Sequence, residues 1–111
     1  LPRKRQPCQA LVCPVHWAVP KLVRDRIPEL FGGHSRPMDE TEYRHALREK
    51  LQEEVAESLE SGEVLELADI LEVVYALAKL DGVSSAELEQ RRAAKAEERG
   101  SFERRLWWEP E

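Results

Sequence analysis

The sequence predicts an all-α protein: an antiparallel helical hairpin with flanking helices, completed as a multi-helix bundle by homodimerisation. Charged residues make up 35% of the 111-residue chain and aromatic residues only 6%, a composition typical of helical proteins. Two long segments with helical patterns meet at a Ser61-Gly62 stop. The second is apolar around most of its circumference, and a domain this small needs a second chain to bury such a helix.

Residues 1–20 are predicted to be a disordered tail or a miscalled N-terminal extension. They contain four prolines, three basic residues and no acidic residue, and they have no periodic pattern. Because the chain does not begin with Met, we expect natural translation to start at Val19 through a GTG codon. Residues 21–111 are predicted to form one all-α domain.

The segment KLVRDRIPEL (21–30) is short and mixed, and Pro28 is predicted to end it as a helix or strand. A loop rich in Gly, Ser and Pro follows at 31–39. The first long helix is predicted to begin near Asp39 or Thr41, either of which suits an N-cap. Its apolar residues recur every four positions and predict an amphipathic stripe: Tyr43, Leu47, Leu51, Val55 and Leu59.

The second helix is predicted at about 64–80, where thirteen of seventeen residues are apolar. A third is predicted to begin at Ser84 or Ser85, with Glu87 placed for a capping box with Ser84. The C-terminal segment carries large apolar residues that we expect to pack, with the two tryptophans favouring a dimer interface over a nucleotide base: Phe102, Leu106, Trp107 and Trp108.

The formal net charge is −5, and all of the excess acid lies beyond residue 20. An acidic body argues against general nucleic-acid binding and suits a protein that concentrates divalent cations. The sequence has no run of 18 apolar residues, so no membrane span is predicted, and a cytoplasmic location is expected.

Residues 53–69 hold seven acidic side chains and no basic one. On a helix, Glu54 aligns with Glu57, and Glu66 aligns with Asp69. A hairpin folded at the stop would place Glu57 level with Glu66 and Glu54 level with Asp69. Facing carboxylates repel, so a cation is expected between them, and a donor set of oxygen atoms favours Mg²⁺ or Mn²⁺ over Zn²⁺. The alternative is a solvated acidic stripe, which we accept for Glu49, Glu60 and Glu63.

EEVAE (53–57) followed by ELAD (66–69) resembles the EExxE…ExxD signature of the all-α nucleoside triphosphate pyrophosphohydrolases. That superfamily includes MazG, the phosphoribosyl-ATP pyrophosphatases and the dimeric dUTPases. Three segments, KLVRDRIPEL, REKLQEEVAE and KAEERGSFERRL, together resemble its MazG-like or phosphoribosyl-ATP-pyrophosphatase-like house-cleaning branch. The resemblance covers about residues 20–107. Two departures are the gap of only eight residues between the motifs and Ser101 where a glycine is expected.

The resemblance implies a role for each matching residue. Four would be ligands for Mg²⁺, with Mn²⁺ as a substitute: Glu54, Glu57, Glu66 and Asp69. Glu53 would be catalytic, orienting or deprotonating the attacking water. Six residues of the two terminal segments would bind substrate: Lys21, Arg24, Asp25, Arg26, Lys95 and Arg99. The basic residues among them have an alternative reading as members of surface ion pairs.

The activity implied for residues 21–111 is hydrolysis of an NTP or dNTP to the monophosphate and pyrophosphate, in a house-cleaning role and as a homodimer or higher homo-oligomer. Two alternatives stay open. The substrate could be phosphoribosyl-ATP of histidine biosynthesis, with the same fold and ligands. The chain could also be a non-catalytic helical module for dimerisation or interaction. The sequence does not predict which base or sugar is preferred.

Overall fold

A computed structural model describes residues 20–111, and every regular element in that range is a helix. The four helices are α1 (Ile27–Phe31), α2 (Glu40–Ser61), α3 (Val64–Leu80) and α4 (Ser85–Arg99). The predicted all-α class is therefore confirmed. The predicted tail, apart from Pro20, and the proposed start at Val19 lie outside the described residues.

The prediction that Pro28 ends its segment is wrong. Pro28 lies in the first turn of α1. Proline is tolerated there because the first N–H groups of a helix have no intrahelical partner to lose. The helix ends instead at Gly32, with φ of 77°, and the Gly32 N–H donates to the Pro28 carbonyl at 2.9 Å.

Both ends of α2 follow from local chemistry. The Asp39 side chain caps the first turn, accepting a hydrogen bond from the Glu42 N–H at 2.8 Å. At the other end Gly62 adopts the left-handed conformation, with φ of 70° and ψ of 12°. Its N–H donates to the Ser58 carbonyl at 2.9 Å. The Asp39 cap and the stop at Ser61-Gly62 are as predicted.

The bounds of α3 agree with the predicted helix at about 64–80. Ser84 caps α4, accepting a hydrogen bond from the Glu87 N–H at 3.1 Å. The Glu87 carboxylate accepts from Arg91 at 2.6 Å, one turn further along α4. This hydrogen bond from the Glu87 N–H to the Ser84 hydroxyl confirms one of the two bonds of the predicted capping box.

Helix α3 packs against both α2 and α4. Arg44, near the start of α2, forms an ion pair of 2.9 Å with Asp81, which follows the end of α3. Among the described residues only two apolar side chains are buried, Leu47 on α2 and Val73 on α3. Two carboxylates are buried to the same extent, Glu54 at 7% exposure and Glu66 at 6%.

The predicted apolar stripe of α2 lies only partly in this core. Leu47 is buried, whereas Val55 is 37% exposed and Leu59 is 82% exposed. A step of four residues turns about 400° around a helix with 3.6 residues per turn, so the stripe drifts by about 40° at each step. Its C-terminal half therefore leaves the face that contacts α3.

Much of the apolar surface of α3 is exposed in the single chain. Four of its large apolar side chains are between 46% and 80% exposed: Val64, Leu65, Leu67 and Leu71. The C-terminal segment is also exposed, and Trp107 and Trp108 have 88% and 80% of their surface accessible. Within residues 20–111 no helix is long and apolar enough to cross a membrane.

Candidate metal centre

Glu54 and Glu66 lie where their helices would ordinarily carry core residues. Glu54 follows buried Leu47 by seven residues, and Glu66 precedes buried Val73 by seven. Seven residues are close to two helical turns, so each carboxylate lies on the buried face of its own helix. The contact between α2 and α3 thus brings these two carboxylates together in a place that excludes most water.

The carboxylates form two groups that share Glu54. The ligand oxygens of Glu54, Glu66 and Asp69 all lie within 4.8 Å of one another, and the same holds for Glu53, Glu54 and Glu57. Glu54 and Asp69, which were predicted to face each other across the hairpin, both belong to the first group. Glu57 and Glu66, predicted as a second level pair, fall in different groups.

The pKa of Glu54 is raised from 4.5 to about 7. Burial is the main cause, because a carboxylate loses hydration energy when water is removed. The charges of Glu57, Asp69 and Glu53 raise this pKa further, whereas Lys50 lowers it. A cation bound beside these carboxylates would reduce their repulsion and favour the ionised form of Glu54.

Glu66 and Asp69 have different partners. The Ser61 hydroxyl lies 3.4 Å from a Glu66 carboxylate oxygen, as hydrogen-bond donor, and the same hydroxyl accepts from the Glu63 N–H at 3.2 Å. Asp69 lies closer to the surface, and its Oδ1 accepts from the Arg24 guanidinium at 2.7 Å. The sequence pattern had given no reason to single out Ser61 as a partner of Glu66.

Two lysines lie beside the same carboxylates. The Lys50 ammonium is 3.0 Å from Glu53 and 3.6 Å from Glu54, on the same helix. Lys21 is half-buried, and its pKa is lowered by burial and by the charge of Lys50. The charges of Glu53, Glu57 and Glu54 raise the pKa of Lys21, so its ammonium lies within electrostatic reach of them. The spacing of Lys50 three and four residues before Glu53 and Glu54 could have predicted its place.

Two other predicted substrate residues form ion pairs with acids outside both groups. Arg26 pairs with Glu29 at 3.5 Å, and Arg99 lies 3.8 Å from its neighbour Glu98. Asp25 and Lys95 are exposed, before α1 and on α4 respectively. Of the six predicted substrate residues, the structure therefore places Lys21 and Arg24 at the carboxylates.

The donor set fits a hard divalent cation. All the candidate ligands are carboxylate oxygens, which Mg²⁺ and Mn²⁺ prefer, and no His or Cys belongs to either group. On one octahedral Mg²⁺, neighbouring oxygens lie about 3.0 Å apart and opposite ones about 4.2 Å, so groups whose oxygens lie within 4.8 Å can reach one ion through side-chain movements of about 1 to 2 Å. Exposed acidic clusters are common without metal, but Glu54 and Glu66 are buried.

Comparison of the chain with models of protein families, with curated proteins and with solved structures gives no match.

Proposed function

We propose that this chain is a Mg²⁺-dependent nucleoside triphosphate pyrophosphohydrolase. One observation carries the proposal: Glu54 and Glu66, buried between α2 and α3, have ligand oxygens within 4.8 Å of each other and of Asp69. The resemblance of EEVAE (53–57) and ELAD (66–69) to the EExxE…ExxD signature supports the same proposal. Mn²⁺ would substitute for Mg²⁺.

Energetics supports a functional reason for these carboxylates. Burying two carboxylates next to each other costs free energy even where a lysine lies beside one of them, as Lys50 does at Glu54, and an apolar pair of similar size is often more stable. Glu54 and Glu66 are as buried as the apolar residues Leu47 and Val73. Residues that lower stability in this way are typical of functional sites. A cation bound there would remove the repulsion.

The roles of the residues follow from their positions. Divalent cations held in the two groups by Glu54, Glu57, Glu66 and Asp69, with Glu54 shared between them, would neutralise phosphate charge and lower the pKa of a bound water. Glu53 lies at the edge of the groups, half-buried and paired with Lys50, where its carboxylate could orient a water or accept its proton. Lys21 and Arg24 would hold the phosphate chain.

The proposed reaction is attack of water on the α-phosphorus of an NTP or dNTP. The water oxygen forms a new bond to phosphorus as the bond from phosphorus to the α,β-bridging oxygen breaks. The products are the nucleoside monophosphate and pyrophosphate, with release of a proton. A house-cleaning role, in which unwanted nucleotides are removed, suits this chemistry.

We further propose that α2 and α3 form an antiparallel hairpin and that a second copy completes the bundle. The pairs Arg44–Asp81 and Glu54–Asp69 support opposite helix directions, because a later residue of α2 meets an earlier residue of α3. The exposed apolar side chains of α3 support a second copy, since contiguous apolar surface of this kind marks interfaces.

The test is pyrophosphate release from a panel of NTPs, dNTPs and phosphoribosyl-ATP with Mg²⁺. Asp69→Asn is expected to lower turnover by at least about 100-fold, since loss of even indirect partners of metal ligands lowers affinity or activity about 10- to 100-fold. Asp81→Asn is the matched control, because Asp81 pairs with Arg44 outside both carboxylate groups. Absence of turnover for every nucleotide, or full turnover by Asp69→Asn, would refute the proposal.

A further inference from the structure

Arg24 links the segment before α1 to one carboxylate of the candidate metal centre. Its Nη2 donates to Asp69 Oδ1 at 2.7 Å, across 45 positions of sequence. Both side chains retain access to water, at 57% exposure for Arg24 and 34% for Asp69. This bond lies on the open side of the carboxylate group, since Glu54 and Glu66 are buried.

The position of Arg24 conflicts with a divalent cation at Asp69. The guanidinium bonds Oδ1 of Asp69 at 2.7 Å, and one carboxylate oxygen of Asp69 lies within 4.8 Å of oxygens of Glu54 and Glu66, so a cation at either Asp69 oxygen would lie close to the guanidinium. Two cations at one carboxylate repel each other, so a divalent cation at Asp69 would weaken the hold of Asp69 on Arg24. Solvent-exposed ion pairs are weak, so Arg24 can leave Asp69 at small free-energy cost.

A released Arg24 would remain at the rim of the centre. Residues 20–26 precede α1, and Lys21 in the same segment is half-buried within electrostatic reach of Glu53, Glu54 and Glu57. A guanidinium bonds two phosphate oxygens at once, which makes arginine well suited to a phosphate chain.

We propose that Arg24 exchanges between two anions, pairing with Asp69 while no cation is bound there and with substrate phosphate once a divalent cation takes Asp69. This inference rests on the metal site of the proposed function. Metal loading thereby frees the arginine that binds the anion, so that phosphate is bound well only after the metal is in place. Arg24 is a competitor of the metal and a partner of the substrate.

The exchange predicts opposite effects of Arg24→Ala on two ligands. Calorimetric titration with MnCl₂ is expected to give about two- to fivefold tighter binding than in the wild type, because a competing exposed ion pair is lost. Titration with inorganic pyrophosphate at saturating MnCl₂ is expected to give about tenfold weaker binding, because a charge-assisted hydrogen bond is lost. A folding defect would weaken both.

Arg36→Ala is the matched control, since Arg36 also pairs with a carboxylate at 2.7 Å, that of Glu42, outside the carboxylate groups. It is expected to leave both affinities unchanged. Unchanged or weaker Mn²⁺ binding by Arg24→Ala, or unchanged pyrophosphate binding, would overturn the exchange and leave the proposed function standing. Absence of Mn²⁺ binding by the wild type would overturn both.

Discussion

Glu54 is one of two carboxylates that are buried among residues 20–111. It is 7% exposed, it lies between other carboxylates, and its pKa is raised to about 7. Lys50 offsets part of this repulsion at 3.6 Å. A glutamine of nearly the same shape would avoid the charge altogether, so a carboxylate at this position agrees with the proposed metal site.

The raised pKa of Glu54 predicts how the metal-free protein responds to pH. Between pH 4.5 and about 7 the folded protein keeps a proton that the unfolded chain has released. Stability from this group is therefore fully present below pH 4.5 and is lost as pH rises through 7, by about 3 kcal/mol in total. Glu54→Gln should be more stable than the wild type at pH 8 and close to it at pH 5.

Urea unfolding in EDTA, at fixed protein concentration, measures this difference. Exposed Glu60→Gln serves as the control and should show the same offset from the wild type at both pH values. The prediction fails if the offset of Glu54→Gln from the wild type is equally independent of pH.

For single residues, the sequence predicted that Glu54 and Asp69 lie close together, but it did not predict that Arg24 would bond Asp69. Helical spacing could predict this proximity because Glu54 and Asp69 lie on regular helices that are joined by a short turn. Arg24 approaches Asp69 from a non-helical segment, and periodicity gives no register for such a segment. Lys95 and Arg99 lie outside the carboxylate groups, and their substrate roles stay predictions.

At the scale of elements, capping residues made the long helices predictable. Asp39, Gly62 and Ser84 each mark an end by satisfying groups that the helix leaves unbonded. Pro28 was misread because proline stops a helix interior yet suits a first turn, and the sequence around α1 is too short to show which applies. Short elements lack the periodic repeats that decide such cases.

Gly62 ends α2 in a left-handed conformation and so determines how the chain turns into α3, which carries Glu66 towards Glu54. It has φ of 70°, and a Cβ added there would meet no atom within 4 Å. Gly62→Ala should thus lower stability by about 1 kcal/mol through backbone strain alone. Gly62→Asn should lower it less, because asparagine tolerates this conformation better. Thermal unfolding of the two variants checks the order; equal stability of Gly62→Ala and wild type would contradict it.

At the scale of the whole molecule, residues 20–111 leave several large apolar side chains of α3, their most apolar helix, exposed. Leu67 and Val64 on α3 are 57% and 80% exposed, and Leu59 on α2 is 82% exposed. The sequence predicted that this helix needs many neighbours but could not identify them, because a composition does not specify which surface of which chain packs on it. The homodimer remains a proposal.

Leu67→Glu tests the proposed dimer by placing a charge on this apolar surface. A buried unpaired charge is strongly unfavourable, so the variant should shift toward monomer in sedimentation equilibrium. Gln90→Glu adds the same charge at an exposed position of α4 and should keep the mass of the wild type. A wild type that is monomeric at micromolar concentration, or a Leu67→Glu variant with unchanged mass, would argue against the dimer.

One labelling measurement tests whether a Mg²⁺ site held by carboxylates directs the attack of water on the α-phosphorus. The wild type is incubated with a nucleoside triphosphate and Mg²⁺ in ¹⁸O-water, and the products are analysed by mass spectrometry. We predict ¹⁸O in the nucleoside monophosphate, unlabelled pyrophosphate, and no turnover when EDTA removes the metal. Label in the pyrophosphate, or a triphosphate left intact with Mg²⁺ present, would contradict the claim.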